Sequence, residues 1–322
     1  MLNPSPTPDP LPALEVLDPR RIKRSSKPLD KDKPLVFLGA LEGKGTVVIK
    51  LAPTDEGADL SRMVSKLHPA FLRLHPDYEL GVYGERERRY FVYQYYGRNI
   101  WMLLRAIQEQ YDTKALPARV VLYCYTLALN MMKTLQRLHD VPLTHGDVTK
   151  SNTVADDEGR VHLVDCGDVR PLTDPPQRLA AYTTKSVRRG PDGRVIPTAS
   201  IENDLRGLAF VICQLVLFNY FDAALKDLAA ASDRKDFARV RAIYDTLFII
   251  NELAHPAPYR PFITCGKALA DERIPVAGKL QSQYTFLEGH YREYAAEKGV
   301  MLRRDADDQY LMRKPSSSCS IL

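Results

Sequence analysis

The stretch from Leu143 to Gly167 reads LTHGDVTKSNTVADDEGRVHLVDCG, and two acids and an amide within it decide how the chain is read. Asp147 is followed five residues later by Asn152, a spacing that suits a loop in which the acid faces a hydroxyl group while the amide reaches a metal ion. A metal ion held there needs a second oxygen ligand. The run VHLVD offers one, because Val161 and Leu163 point inward from an alternating strand and Asp165 stands at its end, with Gly167 allowing a sharp exit. DDEG at 156–159 has the composition of a hairpin turn between two short strands.

Working outward, the segment Ala118 to His139 (ARVVLYCYTLALNMMKTLQRLH) places apolar residues at intervals of three and four, which predicts a largely buried helix leading into the loop. Downstream, ENDLRGLAFVICQLVLF predicts a second buried helix from about residue 202. Upstream, PLVFLGALEGKGTVVIKLA reads as a hairpin, with strands Leu35–Leu41 and Thr46–Ala52 around a Glu-Gly-Lys-Gly turn, and it ends an apolar run on Lys50.

Helix, Asp-x-x-x-x-Asn loop, hairpin and Asp-Cys-Gly in this order resemble the catalytic loop and metal-binding motif of the protein kinase superfamily, usually H-R-D-x-x-x-x-N and D-F-G. The resemblance covers roughly residues 30 to 290 and implies an α+β, bilobal, protein-kinase-like fold: a small β-rich N-lobe and a larger α-helical C-lobe. It assigns 1–28 to a disordered Pro-rich and basic leader, 29–97 to the N-lobe, 98–300 to the C-lobe and 301–322 to a tail. It also implies ATP and Mg²⁺ as cofactors and a protein substrate. Asp147 then orients and accepts the proton of an attacking hydroxyl, Asn152 and Asp165 hold Mg²⁺, and Lys50, matching V-A-I-K in the form V-V-I-K, neutralises the ATP phosphates.

Further assignments follow from the same likeness. Asp59, by its distance from His68-Pro69, takes the place of the glutamate that pairs with Lys50, with Glu56 as the alternative. Tyr93 guards the nucleotide pocket, and Gln94, Tyr95 and Tyr96 form the hinge. His145 and Asp204 are structural, Asp204 bracing the catalytic loop from the start of its helix. Lys150 stands one residue beyond the position of the lysine that touches the γ-phosphate, which Thr149 occupies. Either the loop is remodelled so that Lys150 serves, or that contact is missing. The patterns YYGRNI and DLRGLAF are nearest to the casein kinase 1 group, which favours a Ser/Thr protein kinase.

Two departures widen the reading. No glycine occurs in ALEVLDPRRIKRSSKPLDKDK, where the family's phosphate-covering loop would lie, so a pseudokinase scaffold without turnover is an alternative. Gly146 replaces the arginine of H-R-D, which predicts independence from activation-segment phosphorylation and echoes small-molecule phosphotransferases such as aminoglycoside kinases.

Composition sets the outer limits. With 322 residues, 45% hydrophobic and 26% charged, the chain reads as a soluble globular protein, and a net charge of +5 gives no bulk case for nucleic acid as partner. Residues 1 to 14 carry a proline at every second position from Pro4 to Pro12, and RRIKRSSK at 20–27 reads as a solvated basic loop. The five cysteines lie far apart, which predicts reduced thiols in a cytoplasmic protein. Cys319-Ser-Ile-Leu at the end fits C-a-a-X, with the terminal leucine pointing to geranylgeranylation of Cys319 and attachment to a cytosolic membrane face. One prenyl chain binds membranes only marginally, so a second contact is expected.

Overall fold

The computed structural model describes residues 17–30, 33–51, 81–85, 88–140, 143–165, 170–171, 187–189, 195–197, 200–234 and 236–312. The chain is mixed α+β, with an antiparallel sheet in its N-terminal part and helices after it, and it divides into two units, Met1–Tyr95 and Tyr96–Leu322.

The first unit is built on five strands: β1 (Ile22–Asp30), β2 (Lys33–Leu41), β3 (Gly45–Leu51), β4 (Gly81–Glu85) and β5 (Arg88–Gln94), in the order β1-β2-β3-β5-β4. The β2–β3 turn runs through Gly43 at φ 79°, a conformation that glycine adopts without steric cost. Alternation decides which face is covered. Val47, Ile49 and Val92 are fully buried and pack with Leu17, Leu41 and Tyr90. Lys50 stands opposite Phe91 and Val48 opposite Tyr93, so Lys50 and Tyr93 share the other face, whereas Gln94 stands opposite Val47.

One segment departs from expectation. RRIKRSSK is not a solvated loop that belongs to a leader: from Ile22 it is strand β1, paired antiparallel with β2 and bulged between Arg24 and Pro28. Its alternation was hidden because it is an edge strand whose side chains from Lys23 to Pro28 are exposed, with Ile22 and Leu29 half-buried. Lysine, arginine, a bulge and proline are what an edge strand carries to discourage pairing with another chain.

In the second unit, β6 (Arg98–Asn99) leads into α1 (Ile100–Gln110), whose N-terminus is capped by Asn99 Oδ1 accepting from Met102 N–H at 2.8 Å. Then comes α2 (Ala118–Asp140), buried on nearly every side from Val120 to Leu138. A helix apolar all round belongs in a core. After β7 (Leu143–Thr144), the short strands β8 (Thr153–Ala155) and β9 (Val161–Leu163) form a hairpin, with β6 on the other side of β8. Described fragments β10 (Arg170–Pro171), β11 (Val187–Arg189) and β12 (Val195–Pro197) follow.

The remaining helices are α3 (Ile201–Leu217), α4 (Asp222–Asp233), α5 (Phe237–Leu247), α6 (Arg260–Ala270) and α7 (Lys279–Glu297). Phe210 and Cys213 of α3 meet Leu228, Ile243, Leu247 and Ile263 in one apolar cluster, while α2 packs against α7. The span Ile201–Ala224 is long and apolar enough to cross a membrane by length and composition, yet 67% of its most apolar window is buried inside the protein. It reads as a core helix. The unit does not end at residue 300: β13 (Arg303–Arg304) and β14 (Tyr310–Leu311) pair, and Tyr310 is buried.

Candidate functional site

Asn152 and Asp165, thirteen positions apart in the sequence, are neighbours across the β8–β9 hairpin. Thr153 pairs with Leu163, and one step further Val164 N–H donates to Asn152 O at 2.8 Å, so Asn152 and Asp165 stand together at the open end of the hairpin. Asp165 is exposed, and its φ is 62°. For a residue with a Cβ this left-handed conformation is sparsely populated, and such outliers cluster where the surrounding structure over-determines a functional side chain.

Asn152 is buried at 3% exposure and is held at both ends of its side-chain amine. Its Nδ2 donates to Asp147 Oδ2 at 2.7 Å and to Asp147 O at 3.2 Å. Two acceptors on one side fix which atom is nitrogen, and this turns the amide oxygen, the atom that ligates hard cations, away from Asp147. The donor set of one amide oxygen and one carboxylate therefore fits Mg²⁺. Among the described residues no group of three or more His, Cys, Asp or Glu side chains could hold a metal ion by itself, so a cation here would take its remaining ligands from water and phosphate oxygens.

Asp204 organises the loop before Asp147. Buried at 1% exposure in the first turn of α3, it accepts His145 N–H at 2.7 Å and Gly146 N–H at 2.9 Å, and its Oδ2 lies 3.0 Å from His139 Nε2. Both loop amides can point at one carboxylate because Gly146 adopts φ 82°. His145, fully buried, accepts Asp147 N–H on Nδ1 at 3.3 Å, which leaves the ring proton on Nε2. Among the described residues that Nε2 has no hydrogen-bond partner.

Lys150 turns from Asp147 to Asp222, the first residue of α4, where its Nζ donates to Oδ1 at 2.9 Å, and Gln214 Nε2 lies 3.3 Å from the same oxygen. Thr149 explains the turn. Its carbonyl accepts Asn152 N–H at 3.2 Å and the Thr153 hydroxyl at 2.8 Å, so residues 149–153 wind into a compact turn from which the half-buried Lys150 side chain reaches Asp222. The sequence reading missed Asp222 and the partnership of His139 with Asp204. A carboxylate at a helix start, seventy-two positions from its lysine, carries no local signal.

Other assigned residues fall in different places. Tyr96 stacks on His162 of β9, ring centres 4.0 Å apart. Burial lowers the pKa of His162 below the usual histidine value, while Asp156 pulls it the other way. Lys50 lies in β3, Tyr93 and Gln94 end β5, and Tyr95 follows them. Asp59, Glu56, Cys166 and Cys319 lie outside the described residues. Cys124, Cys213 and Cys265 are free thiols in the core, and burial pushes the Cys124 thiol up to about 12, which disfavours the reactive thiolate. No family model matches the chain, and no curated protein matches it.

Proposed function

We propose that the chain is an ATP- and Mg²⁺-dependent phosphotransferase with a bilobal protein-kinase-like fold, a divergent Ser/Thr protein kinase attached to a cytosolic membrane face through a prenyl group on Cys319. The observation that carries the reading is the bond from Asn152 Nδ2 to Asp147 Oδ2, because it joins a candidate base to a candidate metal ligand, and the ladder bond from Val164 N–H to Asn152 O brings Asp165, the next residue, to the same end of the hairpin.

Mg²⁺ supplies charge neutralisation on the transferred phosphoryl group. The residues do the rest by position. Asp147, oriented by the Asn152 amide, accepts the proton of the attacking hydroxyl, and Asp204 holds the loop backbone so that Asp147 cannot swing. Lys50, with Asp59 or Glu56, is assigned to the α- and β-phosphates, and the stretch Tyr93 to Tyr96 to the adenine. Lys150 reaches a γ-phosphate only by leaving Asp222.

That last pair favours one other reading, a pseudokinase scaffold that binds nucleotide without turnover. The two readings separate by experiment. Purified protein incubated with ATP, Mg²⁺ and casein transfers phosphate to itself or to casein if it is a kinase, and Asp147→Asn abolishes the transfer. Absence of turnover at high ATP and Mg²⁺, with nucleotide still bound, would instead establish the scaffold.

A further inference from the structure

The β8–β9 hairpin bears Asn152 and Asp165 at its open end, yet each strand is only three residues long. A hairpin of that size is at best marginally stable by itself, so something else must hold it. The holding is done at the opposite end by the segment that follows α7, residues 301–312. Gln309, buried at 5% exposure, treats Val161 as a neighbouring strand would: its Oε1 accepts Val161 N–H at 2.8 Å and its Nε2 donates to Val161 O at 3.3 Å.

Asn130 of α2 completes the clamp. Its Nδ2 donates to Gly159 O in the hairpin turn at 2.7 Å and to Tyr310 O at 2.8 Å, while its Oδ1 accepts Tyr310 N–H at 2.7 Å. Every hydrogen-bonding position of a fully buried amide but one oxygen lone pair is thus used to join α2, the turn and β14. Two outer contacts reinforce it. Arg160 Nε donates to Asp305 Oδ2 at 3.1 Å, and Met312 N–H donates to Glu158 O at 3.0 Å.

We infer that Gln309 and Asn130 are positioning residues for the metal ligands, and that the 301–312 strap is part of the site although it touches neither Asn152 nor Asp165 through any of these bonds. The clamp at Val161 is four residues from Asp165, ~13 Å along an extended strand; Val161 O also accepts the Thr134 hydroxyl of α2 at 3.0 Å, whereas Gln309 is the partner of Val161 N–H among the described residues, and a three-residue ladder passes a displacement there on to its open end. For the metal the inference rests on the phosphotransferase reading; for the hairpin geometry it does not.

The test uses the full chain carrying Gln309→Met, which keeps length and removes both bonds, and, as a milder change, Asp305→Asn. In thermal-shift titrations with ATP, the Mg²⁺ concentration needed for half-maximal stabilisation rises about tenfold in Gln309→Met and less in Asp305→Asn, the size typical when a residue that orients a metal ligand is lost. A midpoint change without a change in Mg²⁺ requirement would mean a purely structural role and overturn the inference. Hydrogen exchange reads the hairpin without any ligand: faster exchange at Val164 N–H in both variants supports the inference even if the wild type ignores ATP. Unchanged protection there overturns it.

Discussion

Gly207 of α3 shows how little room the loop that carries Asp147 has. A Cβ at this position would lie 2.4 Å from Val148 O, a backbone atom that cannot step aside without moving Asp147 next to it. Gly207→Ala therefore costs about 1 to 3 kcal/mol of stability by overpacking, and the phosphotransferase proposal adds that, at a temperature where the variant is folded, turnover falls further than substrate affinity. Gly146 was legible as a departure from H-R-D but not its reason, which is the left-handed φ of 82° that aims two amides at Asp204. Lys150 was ambiguous in sequence because side-chain direction in a tight turn depends on who bonds the turn. Here Thr149 does.

At the scale of elements, periodicity read well where burial is one-sided or complete. The helix from Ala118, the hairpin through Gly43 and the buried helix of DLRGLAF all follow patterns visible in the chain. Strand β1 and the β13–β14 strap escaped because their anchors are ladder bonds and primary amides, which leave no apolar rhythm. The hairpin also predicts a pH effect. His162 is stacked on Tyr96 and its pKa is lowered by burial, so the folded state favours the neutral ring. Its contribution to stability is complete above the unfolded value of 6.5 and is lost as pH falls below it toward the lower folded value. Thermal midpoints compared between about pH 8 and about pH 5 should therefore drop more for the wild type than for His162→Phe, which keeps the stacking and cannot be protonated.

For the whole molecule, the sequence carried the mixed α+β composition and the order of sheet before helices, because both follow from hydrophobic pattern. Where the second unit ends was not legible: apart from Ala306 the strap is polar from 303 to 309, and it is recognised by its partners in α2 and β9. The central claim is that Asn152 and Asp165 grip a divalent cation on behalf of ATP. Thermal unfolding with and without ATP and Mg²⁺, comparing wild type with Asp165→Asn, tests it most directly, because asparagine tolerates the left-handed backbone while removing the charge. At a ligand concentration of 100 times Kd the wild type gains about 2.7 kcal/mol, a rise of several degrees, and Asp165→Asn loses most of it. A wild type that does not respond, or an equal rise in both proteins, would contradict the account.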